Sequence, residues 1–186
     1  MRRLICLAIA INFLLSFLPG SSYCYAAASK TELEWDFLTS HGIDRDIDTV
    51  SLHILKKISG TKNRSVYRGI TITRPYGEIT LNQKIRESSA VGVGPTYMIR
   101  NEKYLSDKLS VAFDMSGGVM LYDKVFPAGG RYYNFMWRIG PQVIYRFNEN
   151  SSINVGYKLM HVSNGFRTHN PGYDSRGISV GFVTNF

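Results

Sequence analysis

The sequence predicts an all-β fold, an eight-stranded antiparallel transmembrane β-barrel of the bacterial outer membrane. Three observations carry that expectation. After residue 30, segments of about ten residues alternate in hydrophobicity with period two, and no window shows a convincing helical period. The minority face of several segments carries full charges, Glu34, Asp36, Asp114, Arg138, Arg146 and Lys158, which a dry sandwich core rejects and a small barrel lumen pairs. The other face is rich in Trp, Tyr and Phe near segment ends, and the chain closes on Phe186 after alternating apolar residues.

The chain opens with a leader rather than with the fold. Arg2 and Arg3 precede an apolar run, Leu4 to Leu18, and Ala26-Ala27-Ala28 offers a small-x-small cleavage site. This is the plan of a secretory signal peptide over residues 1–28, too short in its apolar part for a spanning helix. Cys24 lacks the Leu and the small residue that a lipoprotein site places ahead of it. Both cysteines, Cys6 and Cys24, leave with the leader, so residues 29–186 form a single barrel domain with neither a disulfide framework nor a thiol nucleophile. The formal charge of +8 falls by two with Arg2 and Arg3 and stays basic, which suits exposed lipid phosphates. No Lys/Arg stripe, zinc motif or RNA-binding motif points to nucleic acid.

The strands follow in order. Leu33, Trp35 and Phe37 oppose Glu32, Glu34 and Asp36; Val50, Leu52 and Ile54 oppose Thr49, Ser51 and His53. Val66, Ile70 and Ile72 oppose Tyr67, Thr71 and Thr73, although Arg68 breaks the apolar face. Val91, Val93, Tyr97 and Ile99 face small or polar partners, and Leu109 to Leu121 alternates with Ser110, Asp114 and Ser116. Tyr133, Phe135, Trp137, Ile139, Val143 and Tyr145 share one parity, with Asn134, Arg138, Gln142 and Arg146 on the other. Ile153, Val155, Tyr157 and Leu159 oppose Asn154 and Lys158; Ile178, Val180 and Phe182 oppose Gly177, Ser179 and Gly181. That arrangement puts Tyr133, Trp137, Val155, Leu159, Val180 and Phe182 against lipid and Arg138, Arg146 and Lys158 in the lumen. Turns near 59–63, 101–107 and 148–151 are the shorter set and fall on the periplasmic side; those near 40–47, 74–87, 123–130 and 164–174 face outward.

The candidate site lies in Met160-His161-Val162-Ser163-Asn164-Gly165, continued by Asn170-Pro171-Gly172-Tyr173-Asp174. His161 and Ser163 continue the lipid-facing parity of their strand, about 6.7 Å apart along it. Asp174 has the lipid-facing parity of the final strand. A serine hydroxyl is a weak nucleophile until a base takes its proton, histidine does so near neutral pH, and a carboxylate fixes the imidazole. Three such groups on a bilayer-facing wall make sense when the substrate is itself a membrane lipid.

These residues resemble the lipid A 3-O-deacylase (PagL) family of outer-membrane enzymes, the motif match covering roughly the last 30 residues. The resemblance implies an eight-stranded barrel that hydrolyses the ester-linked 3-hydroxyacyl chain at position 3 of lipid A, without metal or other cofactor. It implies His161 as general base, Ser163 as nucleophile and Asp174 as orienting acid. Asn164, Gly165 and Asn170 become candidates for oxyanion stabilisation and substrate binding, through side-chain amides or backbone N–H groups. The best-known member carries Glu as its acid and a slightly longer loop; Asn170 keeps a four-residue spacing to Asp174.

Other residues read more plainly. His169 is a polar loop residue, His53 hydrogen-bonds in the lumen, and His41 lies in an outer loop. A metal site on His161, His169 and Asp174 has no support from the family. Arg45, Arg74, Lys84, Arg86, Lys124, Arg131, Arg167 and Arg176 lie at or near the outer ends, where lipid A phosphates would meet them. The expected partner is lipid A or lipopolysaccharide in the outer leaflet, and a homodimer is compatible with this arrangement. The competing function class is a non-enzymatic small barrel, an adhesin or structural protein with a relic motif; a phospholipase or palmitoyltransferase barrel is a third.

Overall fold

A computed structural model describes residues 30–42, 44–165 and 170–185. The leader read over 1–28 and the terminal Phe186 lie outside the described residues. Among the described residues, nine strands run in chain order: β1 (Lys30–Ser40), β2 (Arg45–Gly60), β3 (Arg64–Leu81), β4 (Lys84–Glu87), β5 (Gly92–Tyr104), β6 (Leu109–Phe126), β7 (Arg131–Arg146), β8 (Ser152–Ser163) and β9 (Tyr173–Asn185). All pairings are antiparallel, and β1 bonds both β2 and β9 while β2 bonds β3, so eight strands close on themselves. The ninth, β4, is a short return strand that pairs only with the end of β3.

Closure leaves no edge in the wall and satisfies every strand by its neighbours, the condition for crossing a bilayer with β-structure. Followed from strand to strand, the register that starts at Thr31 and passes through Lys56, Arg68, Tyr97, Gly117, Trp137, His161 and Asp174 returns to β1 at His41. That stagger is what tilts the strands of a barrel. The outward wall is apolar, with Phe37, Ile70, Ile72, Phe113, Phe135, Val155 and Ile178 all exposed. Leu159 and Phe182 are also exposed and Tyr133, Trp137 and Val180 half so, on the parity expected to meet lipid.

The lumen is filled. Arg100 grips Glu32 with both terminal nitrogens at 2.8 Å and reaches Asp114 at 2.9 and 3.0 Å. Lys158 adds a 2.9 Å contact to Asp114, and Arg138 bonds Glu34 at 2.6 Å and Asp36 at 2.7 Å. His53 bridges Asp36 and Thr71, at 3.0 and 2.7 Å. Arg138 and Lys158 thus point inward as expected, while Arg146 is half-buried at the rim against Glu102 and Ser110.

Two expectations need correction. The lumen is not polar throughout: Leu38, Met120, Phe126, Met136, Met160, Val162 and Tyr173 pack into an apolar plug at the outer end, and Leu55, Tyr67 and Met98 form a smaller one at the other. Methionines on the inward parity, unbranched and adaptable, fill the taper that charged pairs leave. The connections near 40–47 and 74–87 are also shorter than expected, since β1 runs to Ser40 and β2 starts at Arg45. β2 and β3 continue to pair from Arg45 with Ile79 inward, and β3 turns at Asn82 and Gln83 into β4. Both turn residues have positive φ, 52° and 62°. Similarly, β6 extends to Phe126, into the stretch expected to be a loop.

Candidate active site

The site sits where the end of β8 meets the start of β9 beside β7, at the barrel end expected to face outward, and three neighbouring strands present one face there. Cross-strand register sets Trp137 opposite His161, and His161 opposite Asp174, so the side chains stand side by side on the wall. His161 Nδ1 and Asp174 Oδ1 are 2.7 Å apart, and the Trp137 indole stacks on the imidazole at 5.5 Å between centroids with 29° between planes. The imidazole is 31% exposed and the carboxylate 58%, which leaves the pair open to a ligand arriving along the wall. With Asp174 accepting from Nδ1–H, the Nε2 lone pair of a neutral imidazole is the one left to act as a base.

Ser163 is the last residue of β8, two beyond His161 on the same outward face, paired across the ladder with Phe135. Behind it, Gly172 comes so close that a Cβ there would stand 2.9 Å from the Ser163 Cβ and 2.7 Å from the Val162 carbonyl oxygen. The Arg45 guanidinium donates to the Gly172 carbonyl, tying the approach to β9 to the start of β2. Gly165 turns the chain away from the strand at φ 84°, with Phe135 beneath it.

Asn170 clamps this turn. Its Oδ1 accepts from the Asn164 backbone N–H at 3.1 Å and its Nδ2 donates to the Gly165 carbonyl at 2.8 Å. In this arrangement Asn170 shapes the loop beside Ser163. Asn164 is buried. His169 and Arg167 lie outside the described residues, and so does a metal reading that includes His169. His53 is fully buried in the lumen on β2, two strands from β9, and His41 is exposed beside β9, its N–H donating to the Asp174 carbonyl at 3.0 Å.

Sequence reading brought His161, Ser163 and Asp174 to one face but missed Trp137 as their neighbour. Parity marks Trp137 as outward, whereas its place opposite His161 depends on the β7–β8 register, which the Asn148–Ser151 turn sets. Gly172 in the motif and Arg45 among the outer cations were named from the sequence, but the approach of Gly172 to β8 and the bond between the two were not.

A closed eight-stranded wall with an apolar exterior, bearing a His–acid pair and a serine at its outer rim, defines a small outer-membrane barrel with hydrolase-like groups on its lipid-facing surface. The chain belongs to the lipid A 3-O-deacylase (PagL) family, whose model matches residues 50–183. Among solved structures, it is similar to one described as the crystal structure of the outer membrane enzyme PagL, at a TM-score of 0.54 and 15% sequence identity, over 84% of this chain and 99% of that one. No curated protein sequence matches the chain.

Proposed function

We propose that this protein is a serine esterase that hydrolyses the ester-linked 3-hydroxyacyl chain at position 3 of lipid A in the outer leaflet. The observation that carries the reading is the 2.7 Å His161–Asp174 pair on the same bilayer-facing strands as Ser163. Such a pair on a wall that meets acyl chains is costly to maintain for structure alone.

In the mechanism, lipid A lies against β7–β9 with its scissile ester at Ser163. His161 Nε2 takes the Ser163 proton as Oγ attacks the ester carbonyl. Asp174 holds the imidazole through Nδ1 and stabilises the imidazolium that forms. The Gly165 backbone N–H stabilises the oxyanion, while Asn170, whose Oδ1 already binds the Asn164 N–H, keeps that turn in shape. The tetrahedral intermediate collapses, the lipid A 3-hydroxyl leaves with the proton from His161, and the acyl group stays on Ser163. Water activated by His161 then attacks the acyl-enzyme, releasing the 3-hydroxy fatty acid and restoring the serine. Trp137 positions the imidazole by stacking. The chemistry draws on no cofactor, and residues 1–28 serve as a cleaved export signal.

The test is mass spectrometry of lipid A from cells whose lipid A carries a 3-O-acyl chain. The wild-type protein should remove the mass of one 3-hydroxyacyl group, and Ser163→Ala should abolish that change while the barrel still migrates heat-modifiably. Normal deacylation by Ser163→Ala would end the serine mechanism.

A further inference from the structure

We propose that the barrel wall carries a second lipid site, for the phosphate of an anionic glycerophospholipid, built on Lys56 and Arg68 at the end remote from Ser163. Arg68 stands on the outward row of β3 between Val66 and Ile70, where its parity should belong to an apolar residue. Lys56 is its direct cross-strand partner on β2, and Tyr97 is its partner on β5. Both cations are exposed on the wall. With Tyr97, Gly69, Ile70 and Pro95 they line one depression of about 370 Å³.

Two like charges directly opposite each other destabilise a strand pair, and charges on a lipid-facing wall are unfavourable in their own right. Among the described residues, no carboxylate pairs with either side chain, and the next outward residue on β1, opposite Lys56, is the neutral Thr31. A phosphate between them removes both penalties: it accepts from the Lys56 ammonium and from two N–H groups of the Arg68 fork. The surroundings select a lipid rather than a free ion, because Ile54, Ile58, Val66 and Ile70 offer acyl chains an apolar wall on both sides of the pair.

Depth identifies the leaflet. Arg68 is four residues from the start of β3 at Arg64, which at the rise and tilt of barrel strands is about 10 Å above the β2–β3 turn. From there long basic side chains reach the headgroup layer. The β2–β3 turn lies at the barrel end that holds Lys30 and Asn185, opposite the end that holds Ser163. With Ser163 outward, this is the periplasmic leaflet.

The site is independent of catalysis, and its test uses the whole barrel. Native mass spectrometry in detergent with equimolar phosphatidylglycerol and phosphatidylcholine should show one phosphatidylglycerol retained in preference. Lys56→Gln with Arg68→Gln should lower that retention roughly 25-fold, since each basic side chain favours an anionic surface by a factor of about five. Arg68→Lys should keep the preference, and Lys103→Gln, at the aqueous end of β5, should behave as wild type. Equal retention of the two lipids, or an unchanged double variant, would overturn the proposal. Displacement of the lipid by millimolar inorganic phosphate would overturn the lipid assignment. If the double variant fails to show heat-modifiable migration, Arg68→Gln alone decides, with a loss of about fivefold expected.

Discussion

Asp174 and Gly172 show how differently single residues serve the same site. Asp174 holds an imidazole that Trp137 already stacks against, so Asp174→Ala should leave more deacylation than Ser163→Ala or His161→Ala, as orienting acids often do. Initial rates of lipid A deacylation in detergent would rank the three; an Asp174→Ala rate equal to wild type would remove the acid from the mechanism. Gly172 contributes no functional group. A methyl there meets the Val162 carbonyl oxygen and the Ser163 Cβ, both on the β8 end. Gly172→Ala should therefore shift the serine and lower the rate by about 100-fold while the barrel still assembles. The three chemical groups were legible in the sequence because period two fixes which face each residue takes. Gly172 was not, because a close approach between segments leaves no pattern in either.

Strand cores were equally legible, and strand ends were not. Pro75 and Gly77 read as turn residues, yet both lie within β3. The reason is that β3 parts from β5 beyond Thr73, so the missing N–H of Pro75 falls where no β5 partner waits. The true turn, Asn82-Gln83, lacks glycine, and Asn82, which tolerates positive φ, was too weak a signal alone to place it. Gln at φ 62° is strained, since a non-glycine residue pays for the left-handed region. Gln83→Gly should raise stability by roughly 0.5–1 kcal/mol, read as a higher urea midpoint in folding from detergent. An unchanged or lower midpoint would show that the hairpin unfolds independently of the barrel.

At the level of the whole molecule, the lumen network is what the sequence could hint at but not connect. Inward charges announced a barrel; which carboxylate each cation meets depends on strands far apart in the chain, as with Arg138 and Glu34 or Arg100 and Glu32. Arg138→Met removes the only cation bonded to both Glu34 and Asp36 among the described contacts, leaving buried carboxylates short of a partner. A loss of about 3–5 kcal/mol is expected, seen as a lower temperature for the heat-modified transition. A transition at the wild-type temperature would show that water reaches the network.

The packed interior has a consequence for the cell that makes this protein. From the methionine and aromatic plug at the outer end through Arg100 and Arg138 to Leu55, Tyr67 and Met98, side chains occupy the bore. Inserted into a planar bilayer under voltage, the barrel should carry no stepwise current. Copies added to the envelope therefore change the chemistry of its surface without admitting solutes, and a bacterium can raise their number while its permeability barrier to antibiotics and detergents stays closed.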